Sequence, residues 1–430
     1  MTRRDVIVVG GGPAGAATAT ALARAGVDVL VLDRARFPRA KACSEYLSPE
    51  ASRMLAAMGA LDDVERAGAA QLAGMRVRAP DGTWMRGEFA AAHGYRGYRD
   101  RGLALPRERL DSILLDCARR AGAGVEEGAR VTDLERDVLG RVVGIRARTR
   151  GGPATLRARL IIGADGLRSV VARRLGLARV GRWPRRIALV AHYRGVADVG
   201  DCGEMHVERD GYAGLADVGG GLTNVAVVVP ARRGREIAAA GAEHFFEKWL
   251  ARRAHLAPRL AAAERTSPVL ATGPFASHAR RAWAPGAALV GDAAEFFDPF
   301  TGEGIYAALR GGELLASHLL SLAGARSLAD DRADACAEVD RALRAYDRAR
   351  RREFRGKWVV ERIIGGAVAS AFVMNRAARA LAARRDLADL LVGVTGDFVP
   401  AREVLRPAFV LRLLVAAALG PSWPAAPTAR

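Results

Sequence analysis

Gly10, Gly12 and Gly15 fall in one short run, and Asp33 closes the apolar segment that follows them. A glycine at the first position permits a tight turn out of a strand. The second lets backbone N–H groups approach a phosphate, and the third lets a helix pack closely on that strand. An acid at the end of the next strand is placed to accept hydrogen bonds from a ribose. This spacing points to a dinucleotide whose pyrophosphate sits at a helix N-terminus, where unpaired amides and the helix dipole favour negative charge. Pro13, Ala14 and Arg34 flank these positions and join the candidate contacts.

The elements that must hold those residues are legible around them. Residues 5–9 read as a buried parallel strand, 14–25 as an Ala/Leu-rich helix stopped at Gly26, and 28–32 as a second strand. A loop then runs to Ser48, which reads as a helix N-cap with Pro49 in the first turn and a helix to about Gly59. Alternation over 75–88 with Asp81-Gly82 at its centre predicts a hairpin. Arg107 heads an amphipathic helix whose apolar stripe is Leu110, Ile113, Leu114, Cys117 and Ala118. Short strands near Val125 and Val131 and longer ones over 141–148 and 155–162 follow.

The strand over 155–162 runs into Ala164-Asp165-Gly166, and Ser169 starts another helix. Residues 187–229 change character to alternating strands joined by glycine turns, which predicts an antiparallel sheet in a separate domain. Its triple glycine, 219–221, joins two β runs and opens no helix, so it is no second dinucleotide fingerprint. A helix is expected over 238–254. A strand over 287–290 then delivers Gly291-Asp292. Asp298, Pro299, Gly302, Glu303, Gly304 and Ile305 follow and open a helix to about 322, whose first amides face an anion or a polar heterocycle.

These readings divide the chain into a dinucleotide-binding domain in two parts, 1–180 and 268–335, with 76–99 open to either domain. Residues 181–267 form a β domain, and 336–430 a helical tail that packs over the core or meets a membrane surface.

The 430 residues are 50% hydrophobic and 26% charged, a globular composition. The net charge of +19 is almost all arginine; the only lysines are Lys41, Lys248 and Lys357. The arginines are scattered among acids rather than clustered with aromatics, which argues against a nucleic-acid reader and leaves weak attraction to an anionic membrane surface open. Four distant cysteines indicate neither a disulfide framework nor a metal site, so a reducing cytoplasm is expected. Arg3-Arg4 precedes the first strand, interrupted by glycines, and is not read as an export signal. No apolar run reaches the roughly 18 residues that span a bilayer. Nothing in the sequence sets an oligomeric state.

Strand–GxGxxG–helix–Asp, then Ala-Asp-Gly, then Gly-Asp…Pro-x-x-Gly-Glu-Gly-Ile, resembles the flavoprotein superfamily of para-hydroxybenzoate hydroxylase. The finer wording, Pro38-Arg39-x-Lys41-x-Cys43 and Asp298-Pro299-Phe-Thr-Gly302-Glu303-Gly304-Ile305-Tyr306, is similar to the geranylgeranyl reductase family within it. The resemblance covers about residues 1–320 and implies an α/β fold. A Rossmann-like FAD-binding domain would carry an antiparallel-sheet substrate domain and a helical C-terminal region.

By resemblance, Gly10, Gly12 and Gly15 would hold the FAD pyrophosphate, and Asp33 the adenosine ribose. Arg107 would meet the phosphates or ribityl chain, and Asp165-Gly166 the far side of the FAD. Asp292, after Gly291, would bind the ribityl hydroxyls, and the Pro299–Ile305 loop would sit against the isoalloxazine. FAD is expected to be non-covalent, since no histidine or cysteine falls at an attachment motif. With one fingerprint only, electrons would come from transiently bound NAD(P)H or from a separate reductase.

The sequence also departs from its relatives. The reductases' Tyr-x-Trp-x-Phe-Pro signature is reduced to Tyr212-Ala-Gly214-Leu-Ala-Asp217, and their Cys-Gly pair is Cys43-Ser44. The halogenase motif Trp-x-Trp-x-Ile-Pro is absent, and Lys248 and Lys357 lie outside the context of its lysine, so halogenation is not expected. Gly214 in place of a tryptophan would leave room for a bulkier or flatter substrate. The leading expectation is therefore a monooxygenase of a hydrophobic aromatic or polyketide-like molecule. The alternative is a C=C reductase of a prenyl lipid with Cys43 beside the substrate, and the third a non-catalytic lipid or prenyl-protein carrier. Cys43, Glu45, His192 and Tyr212 are the substrate-side candidates.

Overall fold

Val6, Ile7 and Val8 are wholly buried because the strand Arg4–Val9 is covered on both faces, as a central parallel strand must be. The computed structural model describes residues 3–91, 94–181, 185–296, 298–330 and 332–419. Arg4–Val9 lies between Gly152–Gly163 and Val29–Asp33, parallel to both. Gly152–Gly163 pairs in turn with Ala287–Leu289, and Val29–Asp33 with Gly124–Glu127, again in parallel. In register, Val9 is opposite Gly163, and Gly163 is opposite Leu289. The three loops that follow these strands, at Gly10, Ala164 and Gly291, therefore leave the sheet at one edge, where parallel α/β sheets bind ligands.

The helices Pro13–Arg24 and Gly304–Leu322 pack side by side behind that edge. The antiparallel strands Arg130–Arg136 and Val142–Thr149 extend the sheet through the long strand Gly152–Gly163.

A second sheet runs in the order Glu264–Arg265, Arg186–Arg194, Thr223–Pro230, Gly211–Asp217, Cys202–Glu208, Gly74–Arg78, Trp84–Glu88. It is antiparallel except where Cys202–Glu208 meets Gly74–Arg78. The hairpin read over 75–88 is thus an edge of this sheet, delivered from far upstream. Alternation along the strands separates two faces. Leu189, Ala191 and Tyr193 pack with Phe245, Phe246 and Trp249 of the helix Ala242–Ala251. Ala188, Val190, Tyr212 and Val228 pack with Phe275 and with Val360 and Val368 of the tail.

Two local expectations need correction. The helix expected over 238–254 is two helices, Gly234–Ala240 and Ala242–Ala251, parted at Gly241. That residue takes φ +81 and ψ +145, which no helix accommodates and which glycine adopts freely. Ser48 follows the strand Tyr46–Leu47 and its Oγ does accept from Ala51 N at 3.2 Å, a capping bond, but Pro49 and Glu50 form a turn and the helix itself starts later than read, at Ala51–Met58.

The tail is helical, as expected, through Leu419; residues 420–430 lie outside the described residues. It begins with a 36-residue helix, Ala333–Val368, bent by 112° into Ala371–Ala383. Arg385–Thr395, Arg402–Leu405 and Pro407–Leu419 follow. Ala371–Ala383 and Arg385–Thr395 pack on the hairpin strand Trp84–Glu88. Among the described residues no single helix is long and apolar enough to cross a membrane.

Candidate functional site

Gly10 leaves the first strand at φ +107, and a Cβ there would lie 2.4 Å from Ala164 O. A Cβ on Gly15 would lie 1.9 Å from Gly10 O, so only glycine lets the helix start this close to the strand. Gly12 caps the helix Pro13–Arg24 in extended conformation. Arg39 and Arg107 place guanidinium nitrogens 3.4 and 3.9 Å from where its Cβ would be. Two cations and the first free amides of a helix thus converge on one point, a donor set that fits a pyrophosphate. Asp33 is buried and accepts from Gly11 N and Ala35 N, each at 2.8 Å, which ties the glycine turn to the end of the second strand. Arg34 is exposed beside it.

Arg107 lies deeper than a surface phosphate clamp. Its guanidinium grips Asp111 through two hydrogen bonds, 2.7 and 2.8 Å, and Arg39 reaches the same carboxylate at 3.1 Å. Burial opposes the charge on Arg107, but Asp111 and the Cys43 sulfur outweigh it and raise its pKa above the ordinary value. It is a permanent buried cation at the junction of the cradle and Cys43.

The second and third loops are braced differently. The Asp165 carboxylate accepts from Ser169 Oγ and Val170 N, both at 2.6 Å, and so caps the helix Val170–Arg174. Burial nevertheless pushes its pKa up. Gly166 is at φ +77, and Lys41 Nζ lies 3.9 Å from where its Cβ would be. Lys41 Nζ is also 3.5 Å from Asp292 Oδ2, so one lysine links the second and third landmarks.

Asp298 holds the third loop. It accepts from Phe300 N at 3.0 Å and from Tyr212 OH at 3.1 Å, and forms a buried ion pair with Arg186. Pro299–Thr301 forms a 3-10 turn, and Gly302 follows at φ +75. Gly304 begins the helix, with Ile305 buried behind it. Glu303 is buried as well, and burial raises its pKa against the opposing charge of Lys357, 3.8 Å away.

Cys43, Glu45 and His192 meet in one cluster. Glu45, at φ +63 and 2% exposed, accepts at Oε1 from Arg107 N at 2.8 Å. Its Oε2 receives Asn224 Nδ2 at 2.9 Å and meets His192 Nε2 at 2.7 Å. Asn224 also donates to Cys43 O at 2.9 Å, and Glu45 N points to Cys43 Sγ at 3.3 Å. Asn224 was missed in the sequence. The signal for it is register, because Asn224 lies directly opposite His192 and so shares its face of the sheet.

Tyr212 is not part of this cluster. It is 1% exposed, bonded to Asp298, and set edge-on to Phe300 at 5.0 Å. Burial, then the Asp298 charge, lift its pKa well above 10.0, so it remains a hydroxyl donor that holds the loop. A Cβ on Gly214 would lie 3.3 Å from Met205 Sδ, its cross-strand partner, so the two share one face of the sheet.

The pair of His192 and Glu45 has a pH signature. Burial works against a charged His192, but the hydrogen bond and charge of Glu45 win, and its pKa is raised above 6.5. A raised folded pKa stabilises the fold fully below the unfolded value and loses that contribution as pH rises through the folded value. Thermal unfolding across pH should therefore show the deficit of His192→Gln largest below 6.5 and shrinking as pH rises. A deficit independent of pH would mean the pair is uncharged.

The chain and its fold are similar to known proteins. A family profile described as "FAD binding domain" matches residues 3–343. The chain is 31% identical over 344 residues to a menaquinone reductase of Mycolicibacterium smegmatis, covering 74% of this chain and 77% of the relative. It is 32% identical over 327 residues to digeranylgeranylglycerophospholipid reductase 1 of Methanopyrus kandleri, covering 72% and 78%. Among solved structures, the myxobacterial chondrochloren halogenase CndH superposes with TM-score 0.74 at 25% identity over 97% of this chain and 91% of that one. Pseudomonas aeruginosa PqsL, in complex with 2-aminobenzoylacetate, gives 0.69 at 26% over 87% and 100%.

The glycine cradle and these matches define an FAD-dependent oxidoreductase. Within that class the chain belongs to the geranylgeranyl reductase family of FAD-binding-domain proteins.

Proposed function

We propose that the protein reduces carbon–carbon double bonds in the prenyl chain of a hydrophobic lipid or quinone. The observation that carries this reading is the hydrogen-bonded cluster of Cys43, Glu45, His192, Asn224 and Arg107. Adding a hydride to one alkene carbon requires a proton at its neighbour. A proton donor beside the substrate is therefore required, and this cluster supplies one. The names of the reductase relatives point the same way.

Gly10, Gly12 and Gly15 would hold the FAD pyrophosphate with Arg39 and Arg107, Asp33 the adenosine ribose, Asp292 the ribityl chain, and the Pro299–Ile305 loop the flavin ring. FAD held there would supply the hydride, its electrons coming from NAD(P)H or a reductase. Cys43 gives the proton from Sγ, next to the fixed positive charge of Arg107. Glu45 and His192, whose side chain is 20% exposed, connect this corner to solvent and restore the proton. Met205, Val190 and Ala226 line the same face of the sheet and suit an apolar chain.

With chemically reduced enzyme and no oxygen, a prenyl lipid should gain two hydrogens, read by mass spectrometry. Cys43→Ser should slow this about 100-fold with flavin absorbance intact. A product carrying one atom from 18O2, formed only in air, would replace this reading with hydroxylation.

A further inference from the structure

Helix Pro407–Leu419 is apolar on two sides. Phe409 and Leu413 pack inward with Val404 and Met374. Val410, Leu411, Leu414 and Val415 recur at helical spacing on the other side, and Leu411 and Leu414 are 63% and 61% exposed. The neighbouring helix Ala371–Ala383, tied to it by Arg376 Nη2 to Ala417 O at 3.2 Å, exposes Phe372 (71%) and Val373. Ile363, shortly before the bend that precedes Ala371–Ala383, is exposed as well. Scattered exposed leucines need no explanation; a group of this size spread over successive tail helices does.

The charges around the patch decide what covers it. Residues 371–419 contain seven arginines and four acids. Arg402 and Arg406 pair with Glu403, Arg384 and Arg412 with Asp386, Arg379 with Asp81, and Arg385 with Glu88 and Asp389, while Asp397 pairs with Lys357. With Asp81 and Glu88 of the hairpin counted and the Lys357–Asp397 pair set aside, the seven arginines face five acids, so the surroundings of the patch stay net positive, by two, in a chain of net charge +19. A second copy would bring the same positive surface against this one across a two-fold axis, where like charges repel. A bilayer with anionic headgroups takes the apolar side chains below the headgroup level and the arginines at it. Arginine suits that position, since its stem can lie along apolar surface while the guanidinium meets phosphate.

We infer that Pro407–Leu419 and Ala371–Ala383 together form a surface that docks the protein on an anionic lipid bilayer. The inference stands on exposure and charge, whatever bond the enzyme reduces. The test is co-sedimentation of the FAD-loaded full chain with vesicles. Phosphatidylcholine–phosphatidylglycerol vesicles should retain the protein, pure phosphatidylcholine much less, and high salt should weaken retention. Leu411→Ser with Leu414→Ser should lower partitioning about 10-fold, with flavin absorbance and thermal unfolding unchanged. Phe372→Ser, on the other helix, should lower it separately. Wild-type partitioning in both variants, or no vesicle binding by the wild type, would overturn the inference. So would a wild-type dimer in light scattering that the leucine variant dissociates, since a second copy would then be the occupant.

Discussion

Gly15→Ala should yield a protein that no longer retains FAD. The added methyl would sit 1.9 Å from Gly10 O and 3.2 Å from Ala164 Cβ, the first distance far inside contact. Neither neighbour can yield cheaply. Gly10 O belongs to the turn that leaves the central strand, and Ala164 N is bonded to Val9 O at 2.8 Å. The helix Pro13–Arg24 must move outward, and its first amides move with it. Overpacking of this kind costs about 1–3 kcal/mol in an ordinary core. Here the whole displacement falls on the anion site, so FAD affinity should drop by about 100-fold or more. Gly200→Ala is the control, because a Cβ there meets nothing within 4 Å. Equilibrium titration of apoprotein with FAD reads both. Unchanged affinity in Gly15→Ala would remove the pyrophosphate from this helix end.

Asp298→Ala should be among the most destabilising single changes in the second half of the chain. Asp298 and Arg186 are 7% and 6% exposed and pair directly, and Arg186 also donates to Gly365 O at 3.1 Å. Removing the carboxylate strands the guanidinium in a buried site, which costs about 3–5 kcal/mol. It also frees Tyr212 OH and Phe300 N, so the Pro299–Thr301 turn loses its anchor as stability falls. Thermal unfolding should separate the contributions. Tyr212→Phe removes one hydrogen bond and should cost about 1 kcal/mol. Asp298→Leu combined with Arg186→Met removes both charges and should recover most of the loss. A double variant no better than Asp298→Ala would show that the loop, not the stranded charge, carries the penalty.

The parts of the molecule that were legible in the sequence are those whose signal is local. Gly10, Gly12 and Gly15 announce themselves because one short run must satisfy a turn, an anion and a close packing contact together. Asp81-Gly82 marks its hairpin for the same kind of reason, since the turn chemistry lies within the turn. That this hairpin joins the antiparallel sheet is set instead by pairing with Cys202–Glu208, a partner more than a hundred residues downstream. The cluster around Glu45 was half visible. Cys43, Glu45 and His192 were all among the substrate-side candidates. Asn224 stayed hidden because its place depends on the register between two strands. Tyr212 was assigned to the substrate side because its partner, Asp298, comes from another part of the chain.

That pairing also bears on modularity. The sheet made by residues 186–230 ends at Cys202–Glu208, and the strand that covers this edge is Gly74–Arg78, already left behind in the chain. Recombination that exchanged 186–230 between homologues would pair a foreign edge with a resident hairpin, with the register at Cys202 and Gly74 as the seam. Excising 186–230 alone would leave a bare edge open to any other strand. The unit that can be inherited intact is therefore discontinuous, and a chimera that altered substrate choice would have to carry residues 74–88 along with the later sheet.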